Sequence, residues 1–171
     1  MNLAARRGEP TPPIAFAGKA TVGAHFQTNR VHPSDALTAA LERAGIEVSA
    51  TNTAEASRDW WPLAMAWALN DEVAQLGALT AKVSHVDQVS ELLRRCNDEQ
   101  VPVTAIGGRS SVTGAAVPVF GGILLDMTEL AGIRSVDDRD LSLDVLAGTF
   151  GDVLEDDLAA RGYTLGHWPQ S

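Results

Sequence analysis

The run Val101-Pro-Val-Thr-Ala-Ile-Gly-Gly-Arg-Ser-Ser-Val-Thr-Gly114 does most to limit what this chain can fold into. Its first part, Val101–Ile106, reads as a buried strand, and the rest as a turn rich in glycine and hydroxyls. Such a turn can offer several main-chain N–H groups, with the hydroxyls of Ser110, Ser111 and Thr113, to an anion. Gly107 and Gly108 are expected to supply the positive φ and the close backbone approach of a phosphate cradle. No Gly-Lys-Ser/Thr follows, so the loop is not a Walker motif, and the third glycine of a GxGxxG fingerprint is missing. On its own the turn also has a plain reading, as punctuation after a strand.

The upstream residues decide where this turn sits. Ala78–Val83 reads as a strand, and Ser84, with Asp87 three residues on, as a helix N-cap. Val86, Val89, Leu92, Leu93 and Cys96 then recur at helical spacing through about Glu99. Strand, helix and strand in that space predict one right-handed βαβ crossover with parallel strands. The turn therefore falls at the carboxyl end of a parallel strand, the edge at which open α/β sheets take their ligands.

Downstream, Gly122–Met127 predicts a third strand, and Ile133–Val136 with Leu141–Leu146 a hairpin. Its turn, Asp137-Asp-Arg-Asp140, lacks the glycine and spaced carboxylates of a calcium loop and reads as solvated charge. Thr149 and Asp152 form a T-x-x-D variant of the capping box. The helix they open should run to about Ala160, burying Phe150, Val153, Leu154 and Leu158 and ending at Gly162.

Residues 1–30 are rich in Gly, Pro and Thr without a period, and are expected to be disordered. Residues 31–76 read as a helical or irregular lead-in. A stripe of Leu37, Ala40, Leu41 and Ala44 predicts a helix over Ser34–Ala44, closed by Gly45, with a short strand at Ile46–Ser49. Three of the four tryptophans, Trp60, Trp61 and Trp67, lie beside Pro62. They pin this segment onto a core, or face a substrate in a longer protein.

At 171 residues the chain has room for one domain with a real core. Its net charge of −9 argues against nucleic acid and anionic membrane as partners but not against an anionic cofactor, because a nest of N–H groups binds phosphate whatever the global charge. The single Cys96 excludes an internal disulfide and reads as a buried structural thiol. With no apolar leader and no run of transmembrane length, the expectation is a cytoplasmic protein.

The loop is followed in order by Val117-Pro-Val-Phe-Gly-Gly-Ile-Leu-Leu-Asp126, Ala147-Gly-Thr-Phe-Gly-Asp152 and Gly162-Tyr-Thr-Leu-Gly-His-Trp-Pro-Gln-Ser171. This sequence of motifs resembles the FAD-binding domain of the vanillyl-alcohol-oxidase (PCMH-type) flavoproteins. The Gly-His-Trp-Pro-Gln-Ser ending is most similar to the alkyldihydroxyacetonephosphate synthase branch. The resemblance covers residues 77–171. Arg109 stands at the family's third loop glycine, Ser110 at its Thr and Ala105 at the preceding Pro, while Val83 replaces the proline usual after the first strand.

The resemblance implies an α+β fold of α/β-like character: the first subdomain of a PCMH-type FAD-binding domain, a βαβ unit with parallel strands followed by a β-hairpin and a helix, and truncated at Ser171. It implies FAD as cofactor, bound non-covalently because the loop holds no histidine. Ala105, Ile106, Gly107, Gly108, Arg109, Ser110, Ser111 and Gly114 would hold it, with Pro169, Gln170 and Ser171 opening a second contact segment. His167 shapes its turn or lies near the flavin. The implied function is the FAD-binding portion of an FAD-linked oxidoreductase acting on a 2-hydroxy acid or alcohol, or of a synthase, with a small-molecule substrate held elsewhere. No catalytic residue carries over to this chain, and no metal site is expected. The alternative is a non-catalytic remnant or a binding module, prone to homo-association through exposed strand edges.

Overall fold

The computed structural model describes residues 30–167. Ser34 starts the first helix, its Oγ accepting the Leu37 N–H at 3.0 Å, and α1 (Asp35–Arg43) buries Leu37, Ala40 and Leu41 as the stripe required. The chain turns at Gly45 into β1 (Glu47–Ser49), which pairs antiparallel with β2 (Leu79–Lys82). Two further helices, α2 (Thr53–Ala56) and α3 (Pro62–Leu69), lie between them. Residues 31–76 therefore hold three helices and a strand of the main sheet, and Val31 itself bridges to Gly121.

After β2 come α4 (Val86–Asp98), β3 (Val103–Ile106) and β4 (Ile123–Asp126). The strands β2, β4 and β3 are parallel, but the sheet order is β1-β2-β4-β3, so the two strands of the expected crossover are separated by β4. Burial explains the insertion. Ile123, Leu124 and Leu125 are all buried and need cover on both faces, whereas β3 carries an exposed Ala105 and tolerates an edge. Reaching the central slot requires the chain to pass tightly under β3. Gly122 sits at φ +73°, and a Cβ there would lie 2.0 Å from the Pro102 carbonyl oxygen. Its own N–H and carbonyl are both used, to Val31 O and from Ala78 N, each at 2.8 Å.

The start of α4 differs from expectation. His85 rather than Ser84 is the N-cap, and Gln88 rather than Asp87 closes the turn, its Oε1 accepting from Ser84 N at 2.9 Å and His85 N at 3.2 Å. A neutral amide reaches both N–H groups and its Nε2 still donates to Gly45 O. The apolar face is also narrower than its spacing suggested. Leu92 and Cys96 are buried and Val89 packs beside them, but Val86 and Leu93 are exposed. Together with α1, β2 and β4 they make the main core. Burial, and secondarily the Glu99 carboxylate, pushes the Cys96 thiol up to about 11, which keeps it neutral.

The antiparallel hairpin β5 (Ile133–Asp137) and β6 (Ser142–Val145) forms as expected. Its turn is an acidic cap: Asp137 Oδ1 accepts the N–H groups of Arg139 and Asp140. Among the described residues no cluster of metal-ligating side chains occurs. The next helix, α5 (Gly151–Ala159), has Phe150 as N-cap, not Thr149. Thr149 Oγ1 instead donates to Leu146 O and accepts from Gly132 N, tying the hairpin to the helix start, so no capping box forms with Asp152. Leu154 and Leu158 are buried, while Phe150 and Val153, expected inside, are half exposed. The Ala147-Gly148 pair is a second tight passage, since a Cβ at Gly148 would meet the Met127 carbonyl oxygen at 1.7 Å.

Candidate functional site

At the carboxyl ends of the parallel strands lies an open cleft of about 700 Å³. Lys82, Asp126 and Ile106 stand at one level there, because Lys82 and Ile106 both register with Asp126. The chain leaving β3 adds Gly107, Gly108 and Arg109, that leaving β4 adds Thr128, and Glu55 of α2 and Phe150 close the sides. Asp126 is held by its neighbour, its Oδ1 accepting both the N–H and the hydroxyl of Thr128. The topology thus delivers the loop to the edge where such sheets bind ligands.

The loop itself corrects one expectation. Gly107 and Gly108 do not have positive φ; Arg109, at +54°, and Gly114, at +82°, do. The two central glycines serve space instead. A Cβ on Gly107 would meet nothing within 4 Å, and one on Gly108 would lie 2.9 Å from the Phe150 ring. Among the described residues, the main-chain N–H groups of Gly107, Gly108, Arg109, Ser110 and Ser111 have no hydrogen-bond acceptor. Three of the five belong to residues that line the cleft, and N–H groups so placed can take an acceptor-rich ligand.

The side chains around the loop brace it. The Arg109 guanidinium is turned onto Glu55, donating to its main-chain carbonyl and lying 3.4 Å from Oε1. Glu55 also pairs with Arg58 at 2.6 Å. The Ser111 hydroxyl is 3.0 Å from that of Thr113 and accepts the Thr113 N–H, so it folds onto its own turn. The far end is laced to the tryptophan segment: Trp60 N donates to Ser111 O, and the buried Asp59 accepts from Gly114 N and from Trp61 N. Trp61 stacks edge-on against Trp67 at 5.6 Å and 85°, and Trp67 is buried in α3. Of the two readings for the tryptophans, pinning holds for Trp61 and Trp67, while Trp60 remains 60% exposed.

The cleft's charge distribution is uneven. Glu47, Glu55 and Asp126 line it against Lys82 and Arg109. Lys82 is paired with Glu129 at 3.5 Å. The carboxylates on the cleft floor therefore disfavour a polyanion there.

Of the residues expected to hold a cofactor, Ile106, Gly107, Gly108 and Arg109 line the cleft. Ala105 and Ser110 are exposed beside it, and Ser111 and Gly114 belong to the braced far end. His167 is exposed. Pro169, Gln170 and Ser171 lie outside the described residues, as does most of the 1–30 segment. Sequence reasoning missed Asp59, Glu55 and Phe150. The Asp59–Trp61 bond is a local turn contact that an Asp before a Trp-Pro pair could signal, but its partner Gly114 is 55 residues away.

Comparison with known proteins places this geometry. Residues 78–171 match the model of the FAD binding domain family. D-lactate dehydrogenase of Anaerostipes hadrus is 26% identical over 97 residues, covering 54% of this chain and 20% of that protein. Alkyldihydroxyacetonephosphate synthase of Dictyostelium discoideum is 30% identical over 88 residues, covering 50% of this chain and 14% of that protein. Among solved structures, an alkyldihydroxyacetonephosphate synthase superposes with a TM-score of 0.73 at 18% identity, over 88% of this chain and 32% of that one. For p-cresol methylhydroxylase the values are 0.58 and 17%, over 78% and 27%. The fold is thus the mixed α+β fold of these proteins. The chain spans a fifth or less of the lengths of the two enzymes matched by sequence.

Proposed function

Because the chain belongs to the FAD binding domain family, we propose that its Gly107–Ser111 loop holds the FAD pyrophosphate through main-chain N–H groups. The observation that carries this reading is the set of five N–H groups without an acceptor among the described residues, the first of them on Gly107, whose Cβ position is open space. A phosphate pair supplies the acceptors those groups lack, and open space at Gly107 admits it to the backbone. Ser110 adds a hydroxyl donor, and Arg109 sets the loop's left-handed turn while its guanidinium braces the loop against Glu55. Pro169, Gln170 and Ser171 begin the second flavin-contacting segment, and residues 77–171 form the first part of the cofactor domain. Among the described residues neither histidine nor cysteine lines the cleft, which supports non-covalent attachment. Acid precipitation is then expected to release all flavin into the supernatant.

The whole protein is read as an FAD-linked oxidoreductase of a 2-hydroxy acid or alcohol, a reading supported by the match to D-lactate dehydrogenase. Bound FAD supplies a hydride acceptor; the residues of this chain bind and orient it and keep the loop in place. A second reading, a synthase that exchanges an acyl for an alkyl group, is supported by the match to the Dictyostelium discoideum enzyme. Mixing the full-length holoprotein anaerobically with D- and L-2-hydroxy acids separates the two. Loss of the oxidised flavin's visible absorbance supports the oxidoreductase, and its persistence with every 2-hydroxy acid and simple alcohol supports the synthase. A cytoplasmic location is part of the same proposal; among the described residues no helix is long and apolar enough to cross a membrane.

A further inference from the structure

A carboxylate is costly to bury, and Asp59 is 2% exposed. Its two oxygens are both used on main-chain donors: Oδ1 accepts Trp61 N and Oδ2 accepts Gly114 N, each at 3.0 Å. The first bond is local and would form equally in an exposed turn. The second crosses 55 residues and ends on the residue that closes the glycine loop. Beside it, Trp60 N donates to Ser111 O at 2.9 Å. The loop is therefore fixed at both ends, by β3 before Gly107 and by the 59–61 segment at Ser111 and Gly114, and the N–H groups of 107–111 have no acceptor among the described residues.

We propose that Asp59 is a positioning residue for FAD binding: by holding Gly114 it pre-sets the spacing of the Gly107–Ser111 N–H groups, so that the cofactor does not have to order the loop as it binds. The inference rests on the reading of that loop as the pyrophosphate site. An anionic carboxylate suits the task because two N–H donors converge on it and its two oxygens can satisfy both. An amide has one oxygen, and its NH₂ would face the second donor. A hydrophobic replacement would remove the carboxylate acceptor from both part-buried donors.

The test compares Asp59→Asn with the unaltered full-length protein by amide hydrogen exchange and FAD titration, with Gly107→Val as a control on the loop. Expected are faster exchange within 108–114, unchanged exchange in the β4 segment 123–126, and an FAD Kd raised by about tenfold or more. Asp59→Ala should extend both effects. The proposal is overturned if the loop loosens without loss of affinity, or if neither changes. It is equally overturned if loop and β4 loosen together, because Asp59 would then be a determinant of the whole fold. Gly107→Val separates the two levels of the argument. Weakened binding there with no effect of Asp59→Asn removes Asp59 alone, whereas wild-type binding by Gly107→Val removes the loop as the pyrophosphate site.

Discussion

Gly121–Gly122 and Gly107–Gly108 are both glycine pairs flanking a strand of the same sheet, yet they answer to different constraints. Gly122 is forced from within. Its φ is +73° and its missing Cβ is replaced by the Pro102 carbonyl oxygen at 2.0 Å, so no other residue fits the crossing under β3. Gly107 has neither a positive φ nor a neighbour within 4 Å, and nothing inside the described chain demands glycine there. Gly108 stands between the two, kept small by the ring of Phe150. A glycine required by packing belongs to the fold; under the proposed reading, a glycine beside open space and N–H groups without acceptors among the described residues belongs to a ligand.

The largest expected effect follows from the first of these. Gly122→Ala combines left-handed strain with a backbone clash and should cost about 4 kcal/mol or more, within the range of severe single substitutions. A chemical denaturation curve on the variant checks it, and a loss under about 1 kcal/mol would mean the crossing is not tight. Next comes Gly108→Val. It should abolish FAD binding by driving the loop off the Phe150 ring, and Phe150→Ala in the same chain should restore part of the affinity. Flavin fluorescence titrations of the single and double variants read this directly. Absence of any rescue would mean that Gly108 is needed by the cofactor and not by Phe150.

Cys96→Ala probes the opposite side of the comparison and should have the smallest effect. Removing one buried sulfur from the α4 face should cost about 1 kcal/mol and leave FAD affinity unchanged, as separate thermal and flavin titrations would show. The thiol also sets a pH dependence. Its folded value of about 11 lies above the unfolded 9.0, so the unfolded chain loses the proton first. Stability at Cys96 is therefore full below about pH 9 and falls as pH rises from 9 towards 11. Denaturation midpoints across that window should fall more steeply in the unaltered chain than in Cys96→Ala.

Much of this was legible in the sequence. The apolar runs at 79–82, 103–106 and 123–126, and the stripes of α1 and α4, carry their own periodicity, and the motif order pointed to the family. Strand order was not legible, because Ile123–Leu125 takes the central slot through burial on both faces, a property of the assembled sheet. Helix starts went astray where several side chains compete for one N–H: Gln88 displaced Asp87, and Thr149 was drawn to Gly132 across 17 residues. The loop was identified from its composition, but the purpose of each glycine depends on Phe150, Pro102 and Asp59, which come near only after folding.

The account turns on Gly107. In the full-length protein, Gly107→Val should leave the thermal midpoint within about 2 °C of the unaltered value, since the new side chain enters open space. The same variant should bind FAD at least about tenfold more weakly, because that space is where a phosphate meets the backbone. An unchanged melt with lost cofactor is the result the account expects; wild-type FAD affinity in Gly107→Val would contradict it.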